Sequence, residues 1–490
     1  MHNSATHRLL AVALGALLAM SAWAFNATHF TTQSQLATGK WVKIAIPETG
    51  MYEITYDELA QMGFSSPENV RIYGRGGDMM DEILSGHPDD LSAVPMSVTN
   101  DKIVFYAQGA VNFTLSDPLN NPNYTRRMNA YDRQGYYFLT ERTDEPALVE
   151  AITPASVPYP LYPHTSSLDY FWHEQELASP ALMGKQLLGE TIGKDYIKID
   201  YYLPNLSDPS ITVLTSGAAK VTASSYLETF VHSGGNRQDM NYSLSSSKVV
   251  PPKNNFVYYS CASPCKSATL TSPAERGQLE IGFWSPNGNV VSAYLDYFII
   301  TYQHHNIINA EDGNQVRMGY AHPTDTDVVK LPQVASTVMV WDVTDPATPK
   351  QMLLSDPDDE GSRTFAPGVN ARYAQFVAFD PALTLKKISG YKEIENQNLH
   401  GMETPDLLIV TNKVFLEQAN RLARLHEELG VVRAEQHPSH PAARGRDGLM
   451  CHHLHPLCQM ADADGAALAD KSQQRSERPD IAQPSDDDTY

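Results

Sequence analysis

The densest group of chemically active side chains lies between Cys451 and Cys458, where the sequence reads Cys-His-His-Leu-His-Pro-Leu-Cys. Two thiolates with one or two imidazoles form a ligand set that Zn²⁺ accepts. The spacing fits none of the usual structural zinc patterns, and no second knuckle or supporting core accompanies it. A catalytic Cys–His pair would need a rigid scaffold to hold the two groups at a set distance, and this segment supplies none. We therefore predict a chance cluster, with no metal site and no catalytic residue.

The other two cysteines, Cys261 and Cys265, enclose Ala-Ser-Pro in a turn-like segment. In an exported protein they could close a short-loop disulfide, or they could remain two free thiols. The sequence leaves both readings open. A redox-active pair is disfavoured, because nothing nearby supplies the cationic or helix N-terminal setting that lowers a thiol pKa.

Three further motifs resemble sites without meeting the chemical requirements. Residues 356–361 (Asp-Pro-Asp-Asp-Glu-Gly) begin like a calcium loop, but Pro367 stands where an EF-hand needs a bidentate Glu, which favours an acidic solvated turn over a looser calcium site. Residues 74–77 (Gly-Arg-Gly-Gly) lack the Lys and the glycine spacing of a phosphate loop, so we predict a turn with positive φ. His304 and His305 are neighbours on a predicted strand and point to opposite faces, which is poor chelating geometry.

Composition excludes one class of partner. The chain has 490 residues and a formal net charge of −21, so nucleic acid would be repelled. The length allows roughly two to four domains. The 25 tyrosines suit half-buried strands and extended binding faces. No motif indicates a cofactor.

The N-terminus is predicted to be an export signal. His7 and Arg8 precede the apolar run Leu9–Met20, and Ala-Trp-Ala at 22–24 fits a small-x-small cleavage site. The run is too short to span a membrane, and no other stretch is long and apolar enough. We therefore predict residues 1–24 as a signal peptide and no membrane span in the mature chain.

The elements that would position a site are mainly β. Residues 25–160 alternate short strands with tight turns, and residues 165–385 contain strands without helical crossovers, which predicts a β-rich N-terminal domain followed by a β-sandwich. Thr55 with a Glu three residues on forms a capping box that predicts a short helix. The Asn- and Pro-rich stretch Ser116–Asn129 is predicted as a loop and Phe171–Leu177 as a short helix.

After a predicted linker at 386–404, residues 405–430 have the pattern that begins an α/β domain. Leu407–Val410 is a predicted buried strand, and an amphipathic helix follows that ends at Gly430. Residues 431–490 offer no second strand and too little apolar surface to fold, so they are predicted to be disordered. The helix carries one apolar stripe: Phe415, Ala419, Leu422, Leu425 and Leu429.

Five segments, in their shared order over about residues 35–430, resemble the gingipain-type cysteine peptidases. Within that family they are most similar to the type IX secretion sortases, surface peptidases that remove C-terminal sorting signals from exported cargo. The segments are 71–74 (Arg-Ile-Tyr-Gly), 293–297 (Ala-Tyr-Leu-Asp-Tyr), 340–346 (Val-Trp-Asp-Val-Thr-Asp-Pro), 396–401 (Asn-Gln-Asn-Leu-His-Gly) and 405–411 (Pro-Asp-Leu-Leu-Ile-Val-Thr).

The resemblance implies a β-rich N-terminal region followed by a caspase-like α/β domain. The family's catalytic His and Cys lie well downstream of the first strand and helix of that domain, so no residue of this chain is matched to either. The sequence after Gly430 departs from the family completely. A reading-frame change there and a differently evolved natural tail are both open.

The expectation is a mainly β, truncated, catalytically inactive member of this hydrolase family. Full-length members would process cargo by thiol-dependent proteolysis. The alternative is an exported β-rich binding or scaffolding module of a secretion apparatus. In either case the expected partners are exported cargo proteins or secretion components, and the expected location is the periplasm or the outer-membrane-associated cell surface.

Overall fold

A computed structural model describes residues 31–80, 88–99, 101–116, 122–152, 163–180, 187–192, 196–244, 256–260, 268–271, 273–321, 323, 327–367, 373–402 and 407–428. The predicted signal peptide, Cys261, Cys265 and the whole of 431–490 lie outside these residues. Strands dominate the described chain, so the prediction of a mainly β fold is confirmed.

The helices are α1 (Tyr56–Gln61) and α2 (Leu416–Glu428). The strands are, in chain order, β1 (Trp41–Ile46), β2 (Gly50–Thr55), β3 (Val70–Gly74), β4 (Met96–Val98), β5 (Lys102–Ala107), β6 (Val111–Ser116), β7 (Asn123–Met128), β8 (Gly135–Glu141), β9 (Glu150–Ala151), β10 (Pro163–His164), β11 (Ser166–Glu174), β12 (Thr191–Ile192), β13 (Ile197–Tyr202), β14 (Leu206–Val221), β15 (Ser225–Ser233), β16 (Asn236–Leu244), β17 (Phe256–Ser260), β18 (Ala268–Thr271), β19 (Arg276–Trp284), β20 (Val290–His305), β21 (Gln315–Ala321), β22 (Val328–Leu331), β23 (Met339–Asp342), β24 (Lys350–Met352), β25 (Arg363–Phe365), β26 (Tyr373–Phe379) and β27 (Gly390–Ile394).

Two sheets of the central region face each other as a β-sandwich. The larger sheet is 11-stranded: nine strands follow the order β17-β14-β20-β11-β21-β26-β23-β24-β9, while β12 pairs with β20 and β18 with β14 off this path. The facing sheet follows β13-β19-β15-β16. Successive side chains of a strand point to opposite faces of its sheet, so one face of each sheet can be apolar. In β19, Leu279 and Ile281 are buried while Glu280 between them lies on the opposite face. A shared cluster of buried side chains joins the two sheets, including Ile199, Val213, Val231, Leu279, Ile281, Phe298 and Ile300.

The N-terminal region is built from the sheets β27-β1-β8-β3 and β2-β5-β4. Their apolar faces share one core, which includes Ile44, Phe105 and Leu139. The predicted capping box is confirmed: the Thr55 hydroxyl accepts from the Glu58 amide, and the Glu58 carboxylate accepts from the Thr55 amide, which starts α1.

The boundary predicted near residue 160 does not separate two independently packed regions. Strand β9 pairs with β24 at the edge of the large sheet, and Met51, Val104 and Tyr106 share a buried cluster with Trp341 and Phe379. Residues 390–394, which the sequence assigned to a linker, instead form β27 and pair with β1. The chain thus returns to the N-terminal sheet after the sandwich, a long-range pairing that local composition does not encode.

Two other local predictions are wrong. Residues 123–128, predicted as loop, form β7 and pair with β6, and Phe171–Glu174, predicted as helix, belong to β11 and pair with β20. In both cases ladder hydrogen bonds to a partner strand outweigh weak local preferences. Both corrected strands carry charged side chains of the candidate site described below.

The described chain divides into two compact units. One contains residues 40–84 and 91–394; the other contains the described residues before Lys40, those at 88–90 and those after Ile394. In the smaller unit, the Asn396 side chain donates to the carbonyls of Leu36 and Gly39, and the Gln397 amide donates to Leu36. These bonds tie the two sequence-distant segments of that unit together.

The predicted strand at Leu407–Val410 is wrong: residues 407–412 form no strand, and no described residue pairs with them. A strand needs a neighbour to accept its backbone hydrogen bonds. The helix does form as α2, but only Ala419 of the predicted stripe is buried, with Ala423 beside it, while Phe415, Leu422 and Leu425 are exposed. Leu429 lies outside the described residues. No helix among the described residues is long and apolar enough to cross a membrane.

Candidate functional site

The strongest chemical anomaly in the described chain is a buried group of one arginine and two carboxylates. Arg126 of β7 lies with its Nη2 atom 2.8 Å from Glu174 Oε1 of β11 and 3.7 Å from Asp296 Oδ1 of β20. The Arg126 guanidinium also stacks on the ring of Tyr297, 4.0 Å from its centroid. We call Arg126, Glu174 and Asp296 the buried acid cluster.

Strand pairing places these side chains together. Glu174 is the last residue of β11 and lies opposite Tyr297 in the ladder with β20, next to Asp296. Ser216 of β14, which is also paired with Tyr297, donates its hydroxyl to Asp296 Oδ2 at 3.3 Å. The cluster therefore sits in the larger sheet of the sandwich, bridged to the β6–β7 ribbon by one arginine.

Burial dominates the electrostatics of the cluster. The Glu174 side chain is only 3% exposed. Burial raises its pKa to about 8; Arg126 opposes this, while the charges of Asp296 and Glu176 add to it. Because the site is buried and its one cation faces several carboxyl groups, Glu174 holds a proton at neutral pH.

A protonated carboxyl group with a pKa near neutrality is the property expected of a general acid. A general acid must reach its substrate, however, and the Glu174 carboxyl is enclosed by the sheet, Arg126 and the ribbon. The geometry thus favours a structural role for this cluster. Its chemical consequence is a pH-dependent stability.

We expect Glu174→Gln to stabilise the protein selectively at alkaline pH. The folded-state pKa of Glu174 lies above its ordinary value of 4.5. Its contribution is therefore fully present below about pH 4.5 and is lost as the pH rises towards about 8. At pH 9 the variant should exceed the wild type in free energy of unfolding by a few kcal/mol, since one pKa unit corresponds to about 1.4 kcal/mol.

Urea unfolding of both proteins at pH 5, 7 and 9 measures this difference. Glu311→Gln, at a well-exposed carboxylate, is the control and should differ from the wild type by the same small amount, about 1 kcal/mol or less, at every pH. A constant gap between Glu174→Gln and the wild type across the three pH values would contradict the assignment.

A second group has the residue types of a nucleophilic pair. Ser167 Oγ lies 3.1 Å from His304 Nε2, and both residues are buried. Asn306 decides the direction of these bonds: its Nδ2 donates to the carbonyls of His164 and Lys330, so its Oδ1 faces Ser167 and accepts the hydroxyl proton at 2.7 Å. With its proton directed at Asn306, the Ser167 hydroxyl does not donate to His304, so the two side chains are not arranged as a nucleophile and its base. Burial also lowers the pKa of His304, against the opposing charge of Asp169.

The third group is an ion pair inside the large sheet. Arg317 Nε donates to Asp169 Oδ1 at 3.0 Å, and its Nη2 donates to Oδ2 at 3.3 Å. The hydroxyl of Tyr302 donates to the same carboxylate at 3.2 Å. The Arg317 guanidinium lies 4.4 Å from the centroid of the Tyr170 ring. Both oxygens of the Asp169 carboxylate accept hydrogen bonds from protein side chains. This group therefore ties β11, β20 and β21 together.

The motifs singled out in the sequence take structural roles where they are described. Gly74 and Gly76 have φ of 124° and 74°, so residues 74–77 form a turn with positive φ. In the acidic turn, Asp358 accepts from the amides of Glu360 and Ser362 and pairs with Lys330 at 3.0 Å. His304 is buried and bonded, and His305 lies on the opposite face of β20.

The disulfide candidates Cys261 and Cys265, and the cluster from Cys451 to Cys458, lie outside the described residues. Within the described part of the chain, no group of three or more His, Cys, Asp or Glu side chains could hold a metal ion. The buried acid cluster was not predicted from the sequence. Asp296 within the apolar stretch 293–300 was the usable signal, because a charge inside a buried strand needs a partner.

Comparison with solved structures finds a protein of similar fold. The dimeric latent PorU from Porphyromonas gingivalis superposes with a TM-score of 0.69 at 24% sequence identity, over 82% of this chain and 37% of that one. The present chain thus spans well under half the length of that protein. The likeness establishes a shared fold and leaves activity open.

Two further superpositions are too poor to support an argument. A cycloalternan-forming enzyme from Listeria monocytogenes gives a TM-score of 0.18 at 10% identity, over 55% of this chain and 20% of that one. The delta-endotoxin Cry8Ea1 from Bacillus thuringiensis also gives 0.18 at 10% identity, over 54% and 52%. No family model and no curated protein matches the chain.

Proposed function

We propose that this chain is the β-rich part of a gingipain-type cysteine peptidase of the type IX secretion sortase kind, and that by itself it does not cleave peptides. The single observation that carries the proposal is the likeness of fold to PorU over most of the chain. The ordered sequence motifs that resemble the same family support it independently.

Residues of the segments that resemble the family have structural roles, which agrees with a non-catalytic function of the chain. Arg71 donates to the backbone carbonyls of Asp144, Glu68 and Val70. Trp341 is fully buried and packs edge-on against Phe379. A family resemblance carried by such residues is a resemblance of architecture.

The proposed inactivity follows from the chemistry of the family. Peptide cleavage by a thiolate needs a cysteine and a histidine held within hydrogen-bond reach on a rigid scaffold. No residue of this chain is matched to the family's catalytic His or Cys, and the one buried Ser–His pair among the described residues has its hydroxyl proton directed at Asn306. The role proposed for the exported chain is therefore to hold cargo or other secretion components without processing them.

A cargo assay tests the proposal. The purified chain is incubated under reducing conditions with an exported cargo protein that carries its C-terminal signal, and with the same cargo lacking that signal. We expect signal-dependent binding, seen by surface plasmon resonance, and an unchanged cargo mass. Thiol-dependent shortening of the cargo would contradict the inactivity. Equal binding of both cargo forms would show that the chain does not recognise the C-terminal signal and acts only as a general binding module. Absence of binding would contradict the role in cargo handling.

A further inference from the structure

The outer face of the four-stranded sheet carries a row of aromatic rings. Tyr226 and Phe230 of β15 and Trp284 of β19 point away from the sandwich core, as does Tyr196, which directly precedes β13. The exposed fractions are 60% for Trp284, 46% for Tyr196 and 43% for Tyr226. We call these four residues the ring row.

Strand register orders the rings along a diagonal. Trp284 lies opposite Glu228, so Tyr226 is its diagonal neighbour, and such neighbours stand about 7–8 Å apart. Phe230 lies opposite Gly282, and its ring covers that glycine: a Cβ added there would meet Phe230 Cε1 at 2.3 Å. Tyr196 stands on the other side of Gly282, next to Ile197, which pairs with Ile281. The rings thus cross three strands.

Paired polar side chains surround the ring row. Glu280 binds Lys198 at 2.9 Å and His232 at 2.8 Å. Gln278 donates to Asp200 at 2.9 Å. Arg237 pairs with Asp239 and lies over the Phe230 ring, 4.1 Å from its centroid. On this face the cations Lys198, Arg237 and Arg276 stand against the carboxylates Asp200, Glu228, Asp239 and Glu280, so it is close to neutral in a chain whose net charge is −21.

The strand pairing and the charge balance of this face narrow the classes of ligand that the ring row could bind. An extended peptide that adds to a sheet needs unpaired backbone groups, and β19 and β15 are paired on both sides. A charged polymer would need unbalanced charge, which the pairing removes. A second protein copy would need a largely uncharged apolar core, whereas ion pairs run throughout this face.

A neutral polysaccharide fits what remains. Its sugar rings present apolar C–H faces that can stack on exposed aromatic rings, and its hydroxyls can bond the carboxylates and amides between them. The diagonal arrangement suits a chain-like ligand that contacts successive rings. We propose that the ring row binds a neutral polysaccharide chain.

Native gel electrophoresis in gels containing soluble neutral polysaccharides (dextran, galactomannan, xyloglucan and glucomannan) tests the proposal on the full chain, with alginate as the anionic comparison. We expect retardation by at least one neutral polymer. Trp284→Ala and Tyr226→Ala should each weaken it about tenfold or more, corresponding to about 1.4 kcal/mol. Trp284→Phe, which keeps a ring, should retain most of it.

Tyr391→Ala is the matched control, because Tyr391 is also a strongly exposed strand tyrosine but lies on β27 in another sheet. It should bind as the wild type does, and thermal melting should show all variants folded. The proposal is overturned if no neutral polymer retards the wild type, if Trp284→Ala is retarded equally, or if alginate binds more strongly through the same residues. Self-association abolished by Trp284→Ala would assign the face to a second copy instead.

Discussion

Replacing Asp169 by Asn is expected to lower the free energy of unfolding by about 2–4 kcal/mol. The Asp169 side chain is 6% exposed and that of Arg317 is 24% exposed, so the arginine would be left without its counter-charge inside the sheet. Arginine is not deprotonated in proteins, so Arg317 in the variant cannot escape the loss of its counter-charge by giving up a proton. The side-chain amide that replaces the carboxylate would still accept the hydrogen bond from Tyr302. The loss of stability should therefore be smaller than if the whole side chain were removed.

Chemical denaturation of the wild type and Asp169→Asn measures this effect. Glu311→Gln breaks an exposed ion pair with Arg276 and should cost 1 kcal/mol or less. Asp169→Asn combined with Arg317→Met should recover part of the loss, because the isolated charge is removed with its partner. Equal costs for the buried and the exposed pair would show that Asp169 does not hold Arg317 as described.

Replacing Trp341 by Ala is expected to cost about 3–5 kcal/mol and to weaken the whole larger unit at once. Trp341 is fully buried and touches Phe379 at a centroid distance of 5.3 Å. Its cluster includes Met51 and Val104 from the N-terminal sheets. A cavity there should therefore destabilise the N-terminal sheets together with the sandwich.

Far-ultraviolet circular dichroism and aromatic fluorescence, followed through one denaturation series, give the measurement. We expect coincident transitions by both probes, shifted to lower denaturant in Trp341→Ala. Trp284→Ala removes an exposed tryptophan of the same protein and should change stability by about 0.5 kcal/mol or less. Two separated transitions would mean that the N-terminal region folds on its own, as the sequence suggested.

Patterns that act locally were predictable from the sequence. The capping box at Thr55 and Glu58 formed as expected, because both bonds lie within one helical turn. The strands predicted within residues 165–385 do form, and one of them, β19, buries Leu279 and Ile281 on one face. The positive φ of Gly74 and Gly76 follows from the glycines themselves.

Features that depend on distant partners were not predictable. Strand β27 pairs with β1, although the two lie far apart in the sequence, and β7 has a polar sequence that becomes a strand only beside β6. The buried acid cluster was not predicted because both segments that carry it were wrongly predicted. Arg126 lies on β7, predicted as loop, and Glu174 lies at the end of a segment predicted as helix. At Leu407–Val410 a strand was predicted and none forms. An apolar run forms no strand where no described strand pairs with it.

The reactivity of the four cysteines tests the central claim most directly. Iodoacetamide labelling of the reduced chain is followed from pH 5 to 9 at Cys261, Cys265, Cys451 and Cys458 by peptide mass spectrometry. We predict that each thiol reacts slowly at pH 6 and with a midpoint near 8.5, the value of an unactivated cysteine. Rapid labelling of any one of them at pH 6, lost when a single histidine is replaced, would reveal a working thiolate–imidazole pair and contradict the account.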